Sequence, residues 1–470
     1  MDGISVNAQR RDDSEASLTP QEVEKGTRMA ENVELKKDIG PWEMTSIAFN
    51  ICSSWAGLAG SLNVALVQGG PSAILYGIIV SSTLYGAIAF SMSELSSVYP
   101  TAGGQYHFVS ILAPKNLSRG LSYVCGMLTN FSWISLGASG IMIFSQEVMT
   151  LASFYHPDFV AQPWHMFVCF QIFTLLILLY NLLAVKRVTG TYLFGFILSL
   201  SIFLGSFIAI LIRSSPKASS TFVWGTFINK TGWSDGVCFL SSLLTIGYIY
   251  SGLDATMHLA EEAPNPRVSV PRASISAIGV GFVTAFAYAV AILYTISDLN
   301  AILSTTGFLP FQIFRVGLRS DAGAIAIIVA SLVASFIGST AVLQTSSRIT
   351  WVFAKDNALV FSKHLQKVHP VLDVPIYSLI FNAVAYGICG CIYLGSSTAF
   401  NAILSSSVVL QQLSYLMPTA LLVYRRRSEE FLPKDRVFRL PDWFGWTVNL
   451  WLVALSTILL VFFFFHLFCQ

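Results

Sequence analysis

One stretch decides the fold of this chain: residues 247–272, which read GYIYSGLDATMHLAEEAPNPRVSVPR. It closes an apolar segment that begins near Gly236 and is long enough to cross a bilayer, yet contains Ser251, Gly252 and Asp254. A carboxylate near the centre of a bilayer costs about 2.5 to 3.5 kcal/mol on insertion scales. The segment therefore predicts a buried partner, a water-filled cavity or a ligand for the carboxylate, and an interrupted helix whose free backbone faces protein or a cavity.

The first apolar segment contains a similar stretch. Residues 55–61, WAGLAGS, align with residues 250–256, YSGLDAT, so that glycines Gly57 and Gly252 are in register. The two stretches belong to the first and sixth apolar segments, where two five-helix halves would each begin. Two glycine-interrupted segments in corresponding positions indicate the binding site of a secondary transporter. We expect the backbone at both glycines to approach the solute, so that valine there would block uptake without preventing membrane insertion.

Composition places the chain in a membrane. Of its 470 residues, 54% are hydrophobic and 11% are charged, whereas soluble proteins carry about 25% charged residues. The formal net charge of +2 is too small to indicate a nucleic-acid partner. The sequence contains no Walker motif, no nucleophile elbow and no metal-like spacing of its seven cysteines. We therefore expect no catalytic residues, no cofactor and no metal site.

Residues 1–40 are polar and nearly without aromatic side chains, which predicts a disordered cytosolic tail. After this tail we count eleven apolar segments, each long enough to span a bilayer. They are residues 43–66, 72–97, 121–152, 164–184, 189–212, 236–260, 273–296, 323–352, 376–395, 398–424 and 444–468.

The basic residues are distributed unequally between the two sides of these segments. With the N-terminus in the cytosol, 22 of the 27 Lys and Arg residues lie inside and five lie outside. The positive-inside rule therefore predicts a cytosolic N-terminus and, with an odd number of spans, an outward C-terminus.

Small residues of the first segment form the first candidate site. Five of them, Ser53, Ser54, Gly57, Gly60 and Ser61, would let the backbone unwind and direct free N–H groups at an anion such as a carboxylate. Close packing of helices through small residues is the alternative.

Acidic residues of the sixth segment form the second candidate site. Asp254 could cap the following half-helix, and His258 and Glu261 share a helical face with it at i+4 and i+7. That face could bind an amine or cation or relay a proton; the alternative is a purely structural cap. We expect Glu261 and its neighbour Glu262 to form ion pairs in a gate or loop, for instance with Arg267 or Arg272, rather than to bind a ligand.

Three motifs resemble the amino acid, polyamine and organocation permeases, and one of them is typical of the fungal amino acid, choline and GABA permease branch. They are ELSSVYPTAGGQY at residues 94–106, SGLDATMHLAEEAPNPRVSVPR at 251–272, and SRITWVFAKD at 347–356 with Pro375 beyond it. The resemblance covers about residues 35–468. The first broken segment departs from it, because Ala-Gly-Leu-Ala-Gly replaces the Gly-Ser/Thr-Gly of many amino acid permeases. This departure weakens the expectation of a standard α-amino acid.

The resemblance implies an all-α polytopic membrane protein with a five-plus-five inverted-repeat (LeuT-like) transporter fold of about 11 transmembrane helices. The ten-helix core would cover residues 41–424, with repeats at about 41–212 and 236–424. A basic cytosolic loop at 425–443 and an eleventh helix at 444–470 would follow. The sequence ends abruptly there, without a counterpart of the family's twelfth helix, and we expect either that the protein has lost this helix or that the gene model is short.

The resemblance also implies a function: alternating-access transport of an amino acid, GABA, choline or a polyamine, as proton-coupled symport. A non-transporting nutrient sensor on the same scaffold is the alternative. Its partners would be the solute, H+ and the lipid bilayer, with the plasma membrane as the favoured location and a vacuolar or other internal membrane as the alternative. The expected substrate contacts are Ser54, Ala56, Gly57, Leu58, Ala59, Gly60, Tyr250, Ser251, Gly252 and Asp254. The gating or coupling candidates are Glu94, His258, Glu261, Glu262 and Arg348.

Overall fold

The computed structural model describes residues 36–185, 188, 190–299, 302 and 307–468, so most of the segment predicted as a tail lies outside the described residues. Residues 36–40 have no regular secondary structure. Ile39 is buried, and its N–H donates to the carbonyl oxygen of Glu262 at 3.0 Å. The end of the segment predicted as a tail therefore packs against the protein.

Helices make up almost the whole described chain. In chain order they are α1 Pro41–Cys52, α2 Ser54–Val67, α3 Gly70–Val98, α4 Gln105–Leu112, α5 Lys115–Tyr155, α6 Pro163–Leu183, α7 Thr191–Arg213, α8 Ser220–Gly225, α9 Asp235–Gly247, α10 Ala255–His258, α11 Pro266–Thr295, α12 Leu309–Leu318, α13 Asp321–Lys355, α14 Ser362–Leu365, α15 Ile376–Gly395, α16 Ser397–Tyr424 and α17 Asp442–Phe468. Two 3₁₀ turns, Tyr248–Tyr250 and Ala260–Glu262, flank α10. The only sheet in the described ranges pairs β1 Gln68–Gly69 with β2 Ile228–Asn229 in antiparallel register.

Nine helices of the described chain are long and apolar enough to cross a membrane: α3, α5, α6, α7, α11, α13, α15, α16 and α17. They correspond to nine of the eleven predicted spans and confirm an all-α polytopic membrane protein. The predicted third and eighth spans are the longest helices, with 41 and 35 residues. In an 18-residue apolar stretch of each helix, 61% of the residues are buried in α3 and α5 but only 33% in α6 and α7. Helices α3 and α5 are therefore central in the helix bundle.

The first predicted span is divided into α1 and α2 at Ser53. This residue has φ 33° and ψ 54°, a left-handed conformation that turns the chain between the two helices. Its N–H still bonds to the Phe49 carbonyl, at 2.7 Å, and its own carbonyl accepts the N–H groups of Ala56 and Gly57. The break thus lies at Ser53, the first of the five small residues at which we expected unwinding, whereas the family resemblance had placed it at residues 56–60. Those residues are helical, because Ser53 alone absorbs the change of direction.

The sixth predicted span is interrupted more deeply, at the position that the sequence indicated. Helix α9 ends at Gly247, a single 3₁₀ turn follows, and residues 251–254 form a turn before the four-residue α10. Gly252 has a backbone φ of +84°, a conformation that residues other than glycine rarely adopt. This confirms the predicted interruption of the sixth span.

Glu94, a predicted gating candidate, lies at the end of α3 beside the basic loop that follows α16. Its carboxylate accepts hydrogen bonds from Arg427 Nη2 at 2.6 Å, Arg436 Nη2 at 2.6 Å and the N–H of Leu440 at 3.2 Å. Glu94 and both arginines are at most 5% exposed. The structure therefore gives Glu94 an anchoring contact to this loop and does not bring it to Glu261, Glu262 or Arg348.

Candidate functional site

The two interruptions contact each other. Ser54 Oγ donates to the Ile249 carbonyl oxygen at 2.7 Å, and Cys52 Sγ lies 3.9 Å from the Tyr250 carbonyl oxygen. A Cβ placed on Gly57 would be 3.4 Å from Ile249 Cα, so glycine permits close approach of the two backbones. The first and sixth spans thus meet where each one is broken.

One face of α2 is accessible beside this contact. It consists of small residues at helical spacing, all partly exposed: Ser53, Ala56, Gly57 and Gly60. Asn63 and Val64 continue the face and are exposed. We call these six residues the small-residue face. It contains three of the predicted substrate contacts.

The other predicted contacts on α2 point elsewhere. Ser54, Leu58 and Ala59 are 1%, 0% and 7% exposed, and they lie on the opposite side of the helix. Because α2 is a regular helix and not an unwound segment, these three side chains pack into the core instead of facing the accessible surface. The expectation that all of residues 56–60 face a solute therefore does not fit the helix geometry.

The sixth break leaves polar atoms without partners. Ser251 Oγ, which is buried, has no hydrogen-bond partner among the described residues. The N–H of Gly252 donates to Gln411 Oε1 at 3.4 Å, while Gln411 Nε2 is also without a partner in this part of the chain. Tyr250 is satisfied, since its hydroxyl shares a hydrogen bond of 2.6 Å with Ser82. Buried polar groups normally have partners, so the two open atoms indicate a polar ligand or water at this point.

Asp254 is buried, and both of its carboxylate oxygens have hydrogen-bond partners. Its Oδ2 accepts from Gln105 Nε2 at 2.6 Å and Trp133 Nε1 at 3.2 Å, and its Oδ1 accepts from the Tyr415 hydroxyl at 2.8 Å. His258 Nε2 lies 3.0 Å from Oδ2. We had considered that this carboxylate caps α10, but it makes no capping hydrogen bond. Side chains of three other helices occupy both of its oxygens instead.

His258 lies against the loop before α4. Its Nδ1 is 2.9 Å from the carbonyl oxygen of Ala102. Gly104, with φ +55°, makes this approach possible, since a Cβ there would be 3.0 Å from the imidazole Cε1. The paired glycines of the TAGGQY motif thus bring the backbone against the imidazole. The predicted sharing of a face by Asp254 and His258 is confirmed by their 3.0 Å contact. Glu261, however, lies beyond α10 in the next 3₁₀ turn and faces Lys355 instead.

The acidic pair after α10 binds basic residues of α13. Arg348 Nε donates to Glu262 Oε1 at 2.6 Å, and both side chains are 1% exposed. Glu261 is 33% exposed and lies 3.9 Å from Lys355 Nζ. The predicted ion pairing is confirmed, but the basic partners we had suggested were wrong. Neighbouring residues on α11 were the obvious candidates, whereas the packing of α13 presents Arg348 and Lys355.

Comparison with known proteins agrees with this architecture. The model of the amino acid permease family matches residues 39–467. The chain belongs to this family. It is 32% identical over 425 residues to the choline transporter of Saccharomyces cerevisiae, covering 88% of this chain and 75% of that protein.

Two further relatives carry other transporter names. A putative amino acid/polyamine transporter of Macrophomina phaseolina is 30% identical over 82% of this chain and 85% of its own length. The 7-keto 8-aminopelargonic acid transporter of Saccharomyces cerevisiae is 26% identical over 87% of this chain and 82% of its own length. This permease is therefore a multi-pass membrane transport protein and not an enzyme.

Sequence reasoning missed the residues that surround Asp254 and Ser251. Gln105 belongs to a motif we had recognised, but nothing in the motif assigned it a partner. Trp133, Tyr415 and Gln411 are polar or aromatic residues within apolar spans, which is a signal of an interior face. That signal does not tell which of the other helices each one meets.

Proposed function

We propose that this permease is a secondary active transporter for a small nitrogenous solute, which binds between the two breaks and crosses by alternating access with proton symport. Candidate solutes are choline, GABA, amino acids and polyamines. Choline is the first to test, because a yeast choline transporter is 32% identical to this chain. The plasma membrane is the proposed location.

The observation that carries this proposal is the small-residue face at the contact of the breaks. Ala56 carries only a methyl group and Gly57 no side chain, so a solute at this face can approach the backbone of α2 directly. The ring of Tyr248 borders the same place, since its Cδ1 would be 3.9 Å from a Cβ on Gly57. An aromatic ring can bind an ammonium group over its face by a cation–π interaction, so Tyr248 is the proposed contact for a cationic solute.

The hydrogen-bonding groups at the breaks suit a polar solute. The first N–H groups of α2, on Ser54 and Trp55, have no acceptor within their own helix. Ser251 Oγ and Gln411 Nε2 add a hydroxyl and an amide donor. Asp254 is not among the proposed solute ligands, because four protein groups already occupy its carboxylate.

Alternating access requires that the site is closed on one side of the membrane at a time. The ion pairs of Glu261 and Glu262 support a closed cytosolic side. The buried Glu262–Arg348 pair and the Glu261–Lys355 pair join the segment after the sixth break to α13. Both basic residues belong to segments assigned to the cytosolic side by charge distribution. We propose that these pairs form the cytosolic gate and that the Glu262–Arg348 pair separates when the site opens inward.

The first test is an uptake screen in a transport-deficient yeast host. Radiolabelled choline, GABA, amino acids and polyamines are offered separately to cells that express the permease and to cells with an empty vector. Uptake of at least one compound above the vector control is expected. If the permease reaches the plasma membrane and no compound accumulates, the non-transporting sensor is the better interpretation.

The second test is Gly57→Val, with surface abundance and uptake measured on the same cells. A valine Cβ would lie 3.4 Å from Ile249 Cα and its branches would enter the contact of the two breaks, so we expect some loss of abundance and a loss of most uptake per folded molecule. Gly279→Val on α11 is the matched control, because Gly279 is exposed and no atom lies within 4 Å of its Cβ position. Wild-type uptake per folded Gly57→Val molecule would contradict the binding assignment and favour helix packing.

A further inference from the structure

The hydrogen bonds of His258 indicate how many protons the His258 imidazole and the Asp254 carboxyl hold between them. Ala102 faces Nδ1 with a carbonyl oxygen, which can only accept, at 2.9 Å. Asp254 Oδ2 faces Nε2 at 3.0 Å. Both imidazole nitrogens therefore lie against oxygen atoms, and a neutral histidine, which carries one N–H, can satisfy only one of these contacts.

The other partners of Asp254 cannot supply the missing proton. Gln105 Nε2 and Trp133 Nε1 are N–H donors, and the Tyr415 hydroxyl donates to Oδ1. All three stabilise a carboxylate. One further proton between Asp254 and His258 completes the network, either as imidazolium beside carboxylate or as carboxylic acid beside neutral imidazole. In both arrangements the pair is neutral overall, as a site with at most 1% exposure requires.

No other described charged side chain takes part in this network. The titratable groups that α1, α3, α5 and α16 bring near the pair are thiols and phenols: Cys52, Tyr85, Cys125 and Tyr415. Glu261 reaches the backbone of Ala102 and pairs with Lys355. The 3₁₀ turn after α10 and helix α13 bring Glu262 and Arg348 nearby, and these two pair with each other.

We propose that Asp254 and His258 together form the binding site of the transported proton. This inference rests on the proposed proton-coupled transport and assigns its proton site. Asp254 lies two residues after Gly252, and its three donor side chains other than His258 belong to α4, α5 and α16. A movement of the broken sixth span against these helices changes the number of donors to Asp254, and with it the affinity of the pair for a proton. Solute binding at the breaks and proton binding at the pair are thereby linked.

The test uses the full-length permease in proteoliposomes with radiolabelled choline, or the compound with the largest uptake in the cell screen. Net uptake driven by an inward proton gradient is compared with exchange against internal unlabelled compound. His258→Gln keeps an amide donor towards Asp254 but cannot take up a proton. We expect it to lose the stimulation by the proton gradient and to retain exchange. His364→Gln, at an exposed histidine of α14, is the matched control and should behave as wild type.

Tyr415→Phe supplies an independent readout. It removes one donor to the carboxylate, so the pair should bind its proton more tightly and the pH midpoint of net uptake should rise by about one pH unit. A purely structural role of the network would lower activity at every pH without moving the midpoint. This measurement also decides the matter if His258→Gln does not fold.

The outcomes separate the two proposals. If wild-type permease exchanges its solute but does not respond to a proton gradient, proton coupling itself fails. If the wild type is coupled, and His258→Gln keeps that coupling or Tyr415→Phe keeps the wild-type midpoint, the Asp254–His258 assignment is overturned.

Discussion

Glu261 and Glu262 are neighbours in the chain but have different environments. Glu262 is 1% exposed and lies 2.6 Å from Arg348, whereas Glu261 is 33% exposed and lies 3.9 Å from Lys355. Removing one partner of a buried ion pair costs about 3 to 5 kcal/mol, because the remaining charge stays in a medium of low polarity. A partly exposed pair contributes about 1 kcal/mol or less.

We therefore expect Glu262→Ala to destabilise the permease much more than Glu261→Ala. After the first change, the buried guanidinium of Arg348 retains a hydrogen bond to Ser347 Oγ, at 3.2 Å, but loses its carboxylate. The measurement is the thermal unfolding midpoint of the two purified variants in the same detergent. Equal midpoints would show that the buried pair does not stabilise the folded protein.

At the scale of elements, the two breaks are built differently. Ser53 takes a left-handed conformation between two helices that otherwise continue, whereas Gly252 lies in a turn of four residues. A left-handed conformation costs a residue with a Cβ roughly 1 to 2 kcal/mol. At Gly252 a steric cost is added, since a Cβ would lie 2.5 Å from Ile51 Cγ2.

This geometry revises the effect expected of substitutions at Gly252. Sequence alone suggested that valine there would block uptake and leave folding intact, but even Gly252→Ala should reduce the amount of folded protein. Fluorescence-detected size-exclusion chromatography of the tagged protein measures that amount. Gly57→Ala is the control, because its Cβ would make an ordinary contact of 3.4 Å within a regular helix. A normal monodisperse peak for Gly252→Ala would contradict the strain argument.

At the scale of the whole molecule, the distribution of basic residues predicts which loops face the cytosol. Lys230, between β2 and α9, is assigned to the outside, and Lys363, in α14, is assigned to the inside. Both lysines are exposed. Cysteine at either position is therefore accessible to a reagent on its own side of the membrane.

We expect Lys230→Cys to react with a membrane-impermeant maleimide on intact cells, and Lys363→Cys to react only after permeabilisation. Wild-type protein measures the background from native cysteines. The reverse labelling pattern would invert the orientation and would place the proposed gate on the outer side.

Much of this architecture follows from local sequence. The length and apolarity of each segment determine whether it can cross a bilayer, because the cost of transfer is set largely by the residues of that segment. The interruption at Gly252 could be predicted for the same reason, because it depends on polar residues and a glycine that lie within one apolar segment. Ser53 was not singled out from the other small residues of the first span, since serine can take either a helical or a left-handed conformation and the packing around it decides.

What the sequence by itself determined is the nine long apolar helices of the described chain, the interruption of the first and sixth spans and the permease family. What only the tertiary structure decided is the set of partners. Asp254 meets Tyr415, 161 residues away, and Arg348 meets Glu262 across 86 residues. Such pairs depend on which helix faces come together in the folded bundle, and the spacing of residues along one helix contains no information about the helix opposite.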